Sequence, residues 1–209
     1  MSARTWIRAA RYGLTIAGLA ALGYCAAVWI GAKLYQDREA RRFALEAGAR
    51  LEAIPAARHQ PRPAQLSQVS PSPVIPPDGG LVGKLEIPRI GLSVMVVEGV
   101  DSADLKRAVG HIPGTALPGE SGNIGLAGHR DTFFRPLRSI HRNDSIMLRT
   151  LQGSYRYRVV STKVVPPGDV QVLYPTGRDT LTLVTCFPFD YVGPAPRRFI
   201  VRANRLPGV

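Results

Sequence analysis

Cysteine is almost absent from this chain. Two in 209 residues, Cys25 and Cys186, are too few to staple a disulfide scaffold. No Cys/His cluster has the close spacing of a zinc site, and the nearest acidic pair, Asp101 and Asp104, reads as a helix cap, so neither metal nor any other cofactor is expected. No basic run interleaved with aromatics occurs. The formal net charge of +12 therefore does not point to nucleic acid. Its distribution says the same: residues 1–33 hold four positive charges and no acid, residues 34–80 are close to balance, and residues 81–209 carry a dispersed net +7. There is no internal repeat. With 45% apolar and 20% charged residues, wholesale disorder is excluded as well.

What is present begins with an uncharged stretch over residues 12–32, 21 positions long, where a helix crossing a ~30 Å hydrocarbon core needs about 20. Tyr12, Tyr24 and Trp29 give it aromatic ends. Arg4, Arg8 and Arg11 precede it, and Lys33, Arg38, Arg41 and Arg42 follow. A cleaved signal peptide would be shorter and end in a small-x-small site, and a lipoprotein reading at Cys25 is spoiled by the bulky Tyr24 before it. A retained single span fits best. Basic residues at both ends blunt the positive-inside rule, so the simpler topology is preferred: a short basic tail over 1–11 stays inside and the long C-terminal part is exported. Residues 33–54 read as a juxtamembrane helix carrying Leu34, Phe43, Leu45 and Leu51. Residues 55–80, with seven prolines between Pro55 and Pro77, read as a semi-rigid spacer.

From Leu81 onward the pattern changes to short β-type runs at 81–87, 90–97, 123–129, 145–150, 155–165, 180–185 and 198–203, with a short helix after Asp101 running to Ala108. Turn residues punctuate these runs, notably Pro166-Pro167-Gly168 and Gly193-Pro194-Ala195-Pro196. About eight short strands and little helix predict an all-β domain, a closed or nearly closed barrel over 81–209.

Three residue types there can carry chemistry. Cys186 ends an alternating run, and its only possible cysteine partner in the chain, Cys25, lies in the apolar span, so it is expected to be unpaired. A lone thiol in an oxidising compartment is either a buried small hydrophobe or a working group. His129 follows Ile124-Gly125-Leu126-Ala127-Gly128, where Gly128 allows a close approach. His111 and His141 remain alternatives, while His59 sits in the spacer. Arg197 and Arg198 open the last strand, where strand pairing could bring one of them beside Cys186 to stabilise a thiolate or an oxyanion. A membrane-tethered, non-catalytic binding or assembly module with a buried structural Cys186 is the rival reading. An L,D-transpeptidase, whose signature sets His and Cys close together, is disfavoured by the 57 positions between His129 and Cys186.

Thr182-Leu183-Val184-Thr185-Cys186 resembles the TLxTC signature of sortases. The segment from Leu126 to Phe134 looks like the one around the sortase histidine, those from Phe187 to Phe199 and from His111 to Gly119 are similar to class D sortases in particular, and the likeness covers about residues 81–205. It implies an eight-stranded sortase-type β-barrel with short helices behind one N-terminal transmembrane helix. It also implies a cysteine transpeptidase, a thiol protease and hydrolase in class, with Cys186 as nucleophile, His129 as acid/base and Arg198, rather than Arg197, as the oxyanion residue. The implied partners are a protein substrate with a C-terminal LPxTG-like sorting signal, an amine acceptor such as a peptidoglycan precursor or a pilin lysine, and the cell membrane, with the catalytic domain on the extracytoplasmic side.

Overall fold

A computed structural model describes residues 3–52 and 76–207; most of the expected proline-rich spacer lies outside them. The first element is one long helix, α1 (Ala3–Glu52). It is rich in alanine and holds no proline, so nothing in it interrupts the backbone ladder. The uncharged stretch and the charged segment after it form one continuous rod. It is long and apolar enough to cross a membrane.

Eight strands follow: β1 (Leu81–Ile87), β2 (Leu92–Glu98), β3 (Val109–His111), β4 (Asn123–Ala127), β5 (Ser145–Arg149), β6 (Ser154–Val165), β7 (Thr180–Phe187) and β8 (Arg197–Arg205). They close into a barrel in the order β1-β2-β3-β4-β7-β8-β6-β5, and the pairing of β1 with β5 seals it. A short helix, α2 (Ser102–Arg107), connects β2 to β3. Its N-cap is Asp101, whose carboxylate accepts from Ala103 and Asp104 N–H at 2.8 Å.

The strands differ from the sequence expectation where local chemistry overrides apolar patterning. The run expected at 90–97 starts at Leu92, because Pro88–Ile90 forms one 3₁₀ turn closed by Gly91 at φ 65°. β3 was not anticipated: at three residues it is too short to display a period. β4 stops at Ala127, so His129 stands just beyond it, and β7 continues through Phe187, so Cys186 is a strand residue.

Alternation sorts each strand into an inner and an outer face. Leu181 and Leu183 of β7, Ile124 and Leu126 of β4 and Val201 and Ala203 of β8 fill the barrel with Leu85, Ile146 and Tyr157. The outer faces of β6, β7 and β8 are covered by the β6–β7 connection, in which Val170–Leu173 forms a 3₁₀ turn. Val165, Val172 and Ile200 make a second, small apolar core there, with Leu173 and Val184 against it.

The turn between β1 and β2 is tied to the start of β5. Arg89 Nη2 donates to Asp144 Oδ2 at 2.6 Å, Arg89 Nε donates to the other carboxylate oxygen, and Asp144 also accepts from His141 N–H at 2.8 Å. The Arg89 guanidinium holds the Asp144 carboxyl below the ordinary carboxylate range. A carboxylate depressed in the folded state contributes stability above its unfolded pKa and loses it as pH falls through the folded value. Asp144→Asn should therefore lower the melting temperature at neutral pH. The same variant should flatten the loss of melting temperature between neutrality and a pH of about 2, measured on the full chain in detergent.

Candidate active site

The β7–β8 register sets Cys186 directly opposite Arg198, and Phe187 opposite Arg197. Alternation then assigns Arg198, Ile200 and Arg202 to the outer face with Val184 and Cys186, whereas Arg197 falls on the other side and is exposed. On the far side of β7 the neighbour is β4, which pairs with it in parallel, Ala127 against Val184. The pairing continues one step past the end of β4, where Gly128 N–H donates to Val184 C=O at 3.1 Å. The next residue is His129. The three residues singled out from sequence thus converge at one end of the barrel, on or just beyond three neighbouring strands.

Threonines fix this arrangement. Thr185 Oγ1 donates to Gly128 C=O at 2.7 Å, pinning the residue before Cys186 to the residue before His129. Lower on the same strands, the Thr180 and Thr182 hydroxyls donate to Asn123 Oδ1 at 2.9 and 2.8 Å. The Asn123 amide in turn donates to Val172 C=O at 3.2 Å, holding the covering loop in place. All of these groups are buried, where an unpaired polar atom costs about 1–3 kcal/mol. Gly128 is required on packing grounds: a Cβ there would lie 2.8 Å from the buried Phe134 ring. The close approach foreseen at Gly128 is thus made by Phe134, whose N–H also donates to His129 C=O at 3.0 Å.

The Cys186 thiol is half-buried and free, and Cys25 on α1 is also free. The His129 side chain is exposed. Arg198 Nη1 donates to Ala195 and Arg197 carbonyls at 3.2 and 3.1 Å, which leaves its remaining N–H groups for other acceptors. Under Cys186 the inward rings of Phe187 and Phe199 stack at 6.2 Å and Phe189 meets Phe199 edge-on at 5.3 Å, plugging this end of the barrel.

The other histidines take different places. His111 is buried in β3, with Nδ1 2.7 Å from Glu98 Oε2 and Nε2 3.0 Å from Ala116 C=O, a structural cross-link. His141 is exposed ahead of β5, and His59 lies outside the described residues. Asp104 pairs with Arg107 at 2.6 Å.

Sequence reasoning missed Arg130. It follows the exposed His129, yet it is 6% exposed itself. Its guanidinium donates to Pro188 C=O at 2.8 Å, to Gly193 C=O at 3.2 Å and to Tyr191 C=O, and pairs with Asp131 at 3.2 Å. Arg130 therefore clasps the β7–β8 loop that leads from Cys186 to Arg198. The segment from Leu126 to Phe134 contains it, but an arginine beside a polar turn reads as surface until the fold supplies the carbonyls.

A closed eight-stranded barrel carrying a free thiol opposite an arginine, with a histidine just past the end of the neighbouring strand, has the architecture of a cysteine acyl-transfer enzyme. Residues 85–206 match the Sortase domain model, and the chain belongs to that family. It is 39% identical over 132 residues to Sortase D of Bacillus subtilis, covering 63% of this chain and 67% of that one. Among solved structures, a Clostridium perfringens sortase D5 transpeptidase superposes with a TM-score of 0.61 at 25% identity, over 84% of this chain and 98% of that one. Sortase A from Corynebacterium diphtheriae does so with a TM-score of 0.59 at 29% identity, over 63% of each chain. By family, the chain is a cysteine transpeptidase.

Two outcomes test this account of the site. Thr185→Val removes the donor to the buried Gly128 carbonyl at nearly constant volume, and should cost about 1–3 kcal/mol in denaturant unfolding. Arg130→Gln should open the loop over 188–196 to limited proteolysis while the barrel still melts cooperatively.

Proposed function

We propose that the chain is a single-pass, membrane-anchored transpeptidase with its catalytic domain on the extracytoplasmic side. It cleaves a C-terminal LPxTG-like sorting signal through a thioester on Cys186. It then passes the acyl group to an amine of the cell envelope, such as a peptidoglycan precursor, or to a pilin lysine. The observation that carries this reading is the register pairing Cys186 with Arg198, with His129 following the end of the strand on the other side of β7.

The chemistry assigns one task to each residue. The Cys186 thiolate attacks the threonyl carbonyl, forming a C–S bond and a tetrahedral oxyanion that the guanidinium of Arg198 stabilises. The intermediate collapses by breaking the C–N bond, and protonated His129 gives its proton to the leaving glycine amine. An acceptor amine then attacks the thioester, His129 takes its proton, and the thiolate leaves. The exposure of His129 suits exchange between two amines that arrive and depart in turn.

Substrate selection is supported by the outer apolar core. Val184 and Ile200 lie on the same face as Cys186 and Arg198, two positions along each strand, and pack with Val165, Val172 and Leu173. A floor of this kind suits the apolar residues of a sorting signal and limits water at the thioester, favouring transfer over hydrolysis.

The test is intact-mass spectrometry of the full chain in detergent with a panel of LPxTG-type peptides. The wild type should gain the mass of the acyl fragment and Cys186→Ala should not. Arg198→Ala should lower kcat/KM by about 10²–10³-fold, the cost of losing one oxyanion donor, while Arg197→Ala stays near wild type. Acyl mass on Cys186→Ala, or equal losses at the two arginines, would overturn the assignment.

A further inference from the structure

α1 does more than lead away from the barrel. Beyond its uncharged stretch it lies against the outside of β1, β2 and α2. Gln36 Oε1 accepts from Met95 N–H of β2 at 2.7 Å, and Gln36 Nε2 donates to Arg107 C=O at the end of α2 at 2.7 Å. One side-chain amide thus bridges two elements of the barrel wall. Tyr35 stacks under the Arg107 guanidinium, 5.0 Å from its ring centroid, and Phe43, two turns further on, is 7% exposed. Leu34 and Leu45, equally apolar, are exposed, so the contact selects one face of the helix. On β2 the counterpart is visible: Val94 and Val96 point into the core, while Met95 and Val97 point outward and are nevertheless buried.

The docking has a direction. Moving back along α1 from Gln36 toward the apolar stretch, the helix runs beside the turn that follows His129. Tyr24, Val28, Trp29 and Lys33 line one groove of about 760 Å³ together with Asp131, Thr132 and Phe133, so that turn lies level with the outer end of the uncharged stretch. Trp29 and Lys33, with the ammonium 5.4 Å from the indole centroid, are the residue types that settle at headgroup depth. The end of the barrel bearing His129 and Cys186 therefore points along α1 toward the membrane.

We propose that the docked α1 holds the catalytic end of the barrel at the bilayer surface, so that the enzyme selects substrates whose scissile bond lies close to the membrane plane. This rests on the transpeptidase reading above. Tethering alone raises local concentration for any membrane-held substrate, with a weak dependence on spacer length. Docking adds a height requirement. A signal close to its anchor meets the thiol without rearrangement, whereas one held far out reaches it only by folding its spacer back.

The experiment uses the full chain reconstituted in lipid vesicles and one sorting peptide in three forms: free in solution, lipid-anchored through a spacer of about three residues, and lipid-anchored through a spacer of about 25 residues. Wild type should cleave the short-spacer form on the order of tenfold faster than the long-spacer form at equal surface density. The double variant Gln36→Ala, Phe43→Asp, which releases the dock and leaves the span unaltered, should bring the two anchored rates together and keep the free-peptide rate. That free-peptide rate also reports that the variant is folded. Gln36→Glu, which keeps an acceptor for Met95 N–H and loses the donor to Arg107 C=O, should fall between them. Equal rates on the two spacers with wild type, or an unchanged ratio in the double variant, would overturn the proposal. No cleavage of the free peptide by wild type would instead overturn the transpeptidase reading itself.

Discussion

The parallel pairing of β4 with β7 is the constraint on which the site depends. A parallel neighbour cannot be reached by a tight turn, so the chain must leave β4, traverse β5, β6 and the covering loop, and return alongside it. The return brings residues 57 positions apart to adjacent places, and a buried set of hydroxyl and amide hydrogen bonds fixes the register. A slip by one residue would turn every side chain of β7 to the opposite face. Cys186 would then point into the barrel and Phe187 out of it. The threonines that look decorative in a Thr-Leu-Thr-Leu-Val-Thr run are the groups that make such a slip costly.

The same strand alternation separates structure from chemistry. The inner positions of β7 and β8 that fill the barrel are leucine, valine, alanine and phenylalanine, with Thr185 pinned to Gly128 and with Arg197 and Arg205 at the two ends of β8. Outer positions alternate threonine, valine, cysteine, isoleucine and arginine. The outer face would be ordinary solvent-exposed sheet if the β6–β7 connection did not fold over it. Because it does, a thiol and a guanidinium stand at the edge of an apolar floor. The β7–β8 loop completes this edge, held from the β4 side by Arg130 and from β8 by Arg198. An arginine with three carbonyl partners is a strong clamp because each bond is charge-assisted. Its position next to His129 couples the loop to the imidazole side of the site.

The long N-terminal helix gives this site an orientation. Gln36 satisfies one backbone donor and one backbone acceptor that the barrel leaves open, and Phe43 fills the same contact farther along. These are small areas, yet a helix of 50 residues is a stiff lever, and a few contacts suffice to fix the angle between rod and barrel.

Much of this was legible from residues alone. The uncharged span, the change at Leu81 to short β-type runs and the isolation of Cys186 follow from composition and period, because burial in a bilayer or a barrel acts on every residue of an element at once. The resemblance to sortases added the roles proposed for Cys186, His129 and Arg198. Where a feature rests on one or two contacts, the chain was silent or misleading. β3 has too few residues for a period, Arg130 looks like surface, and of the apolar positions expected to matter beyond the span only Phe43, among those described, is covered. The choice between Arg197 and Arg198 turns on which face of β8 meets Cys186. Alternation pairs Arg198 with Ile200, but only the register against β7 says that this face is the one holding the thiol. Sequence by itself determined the longer elements and which residues are chemically able. Tertiary structure decided which of them meet, because nearness across a barrel depends on strand order and register, which no local stretch of chain encodes.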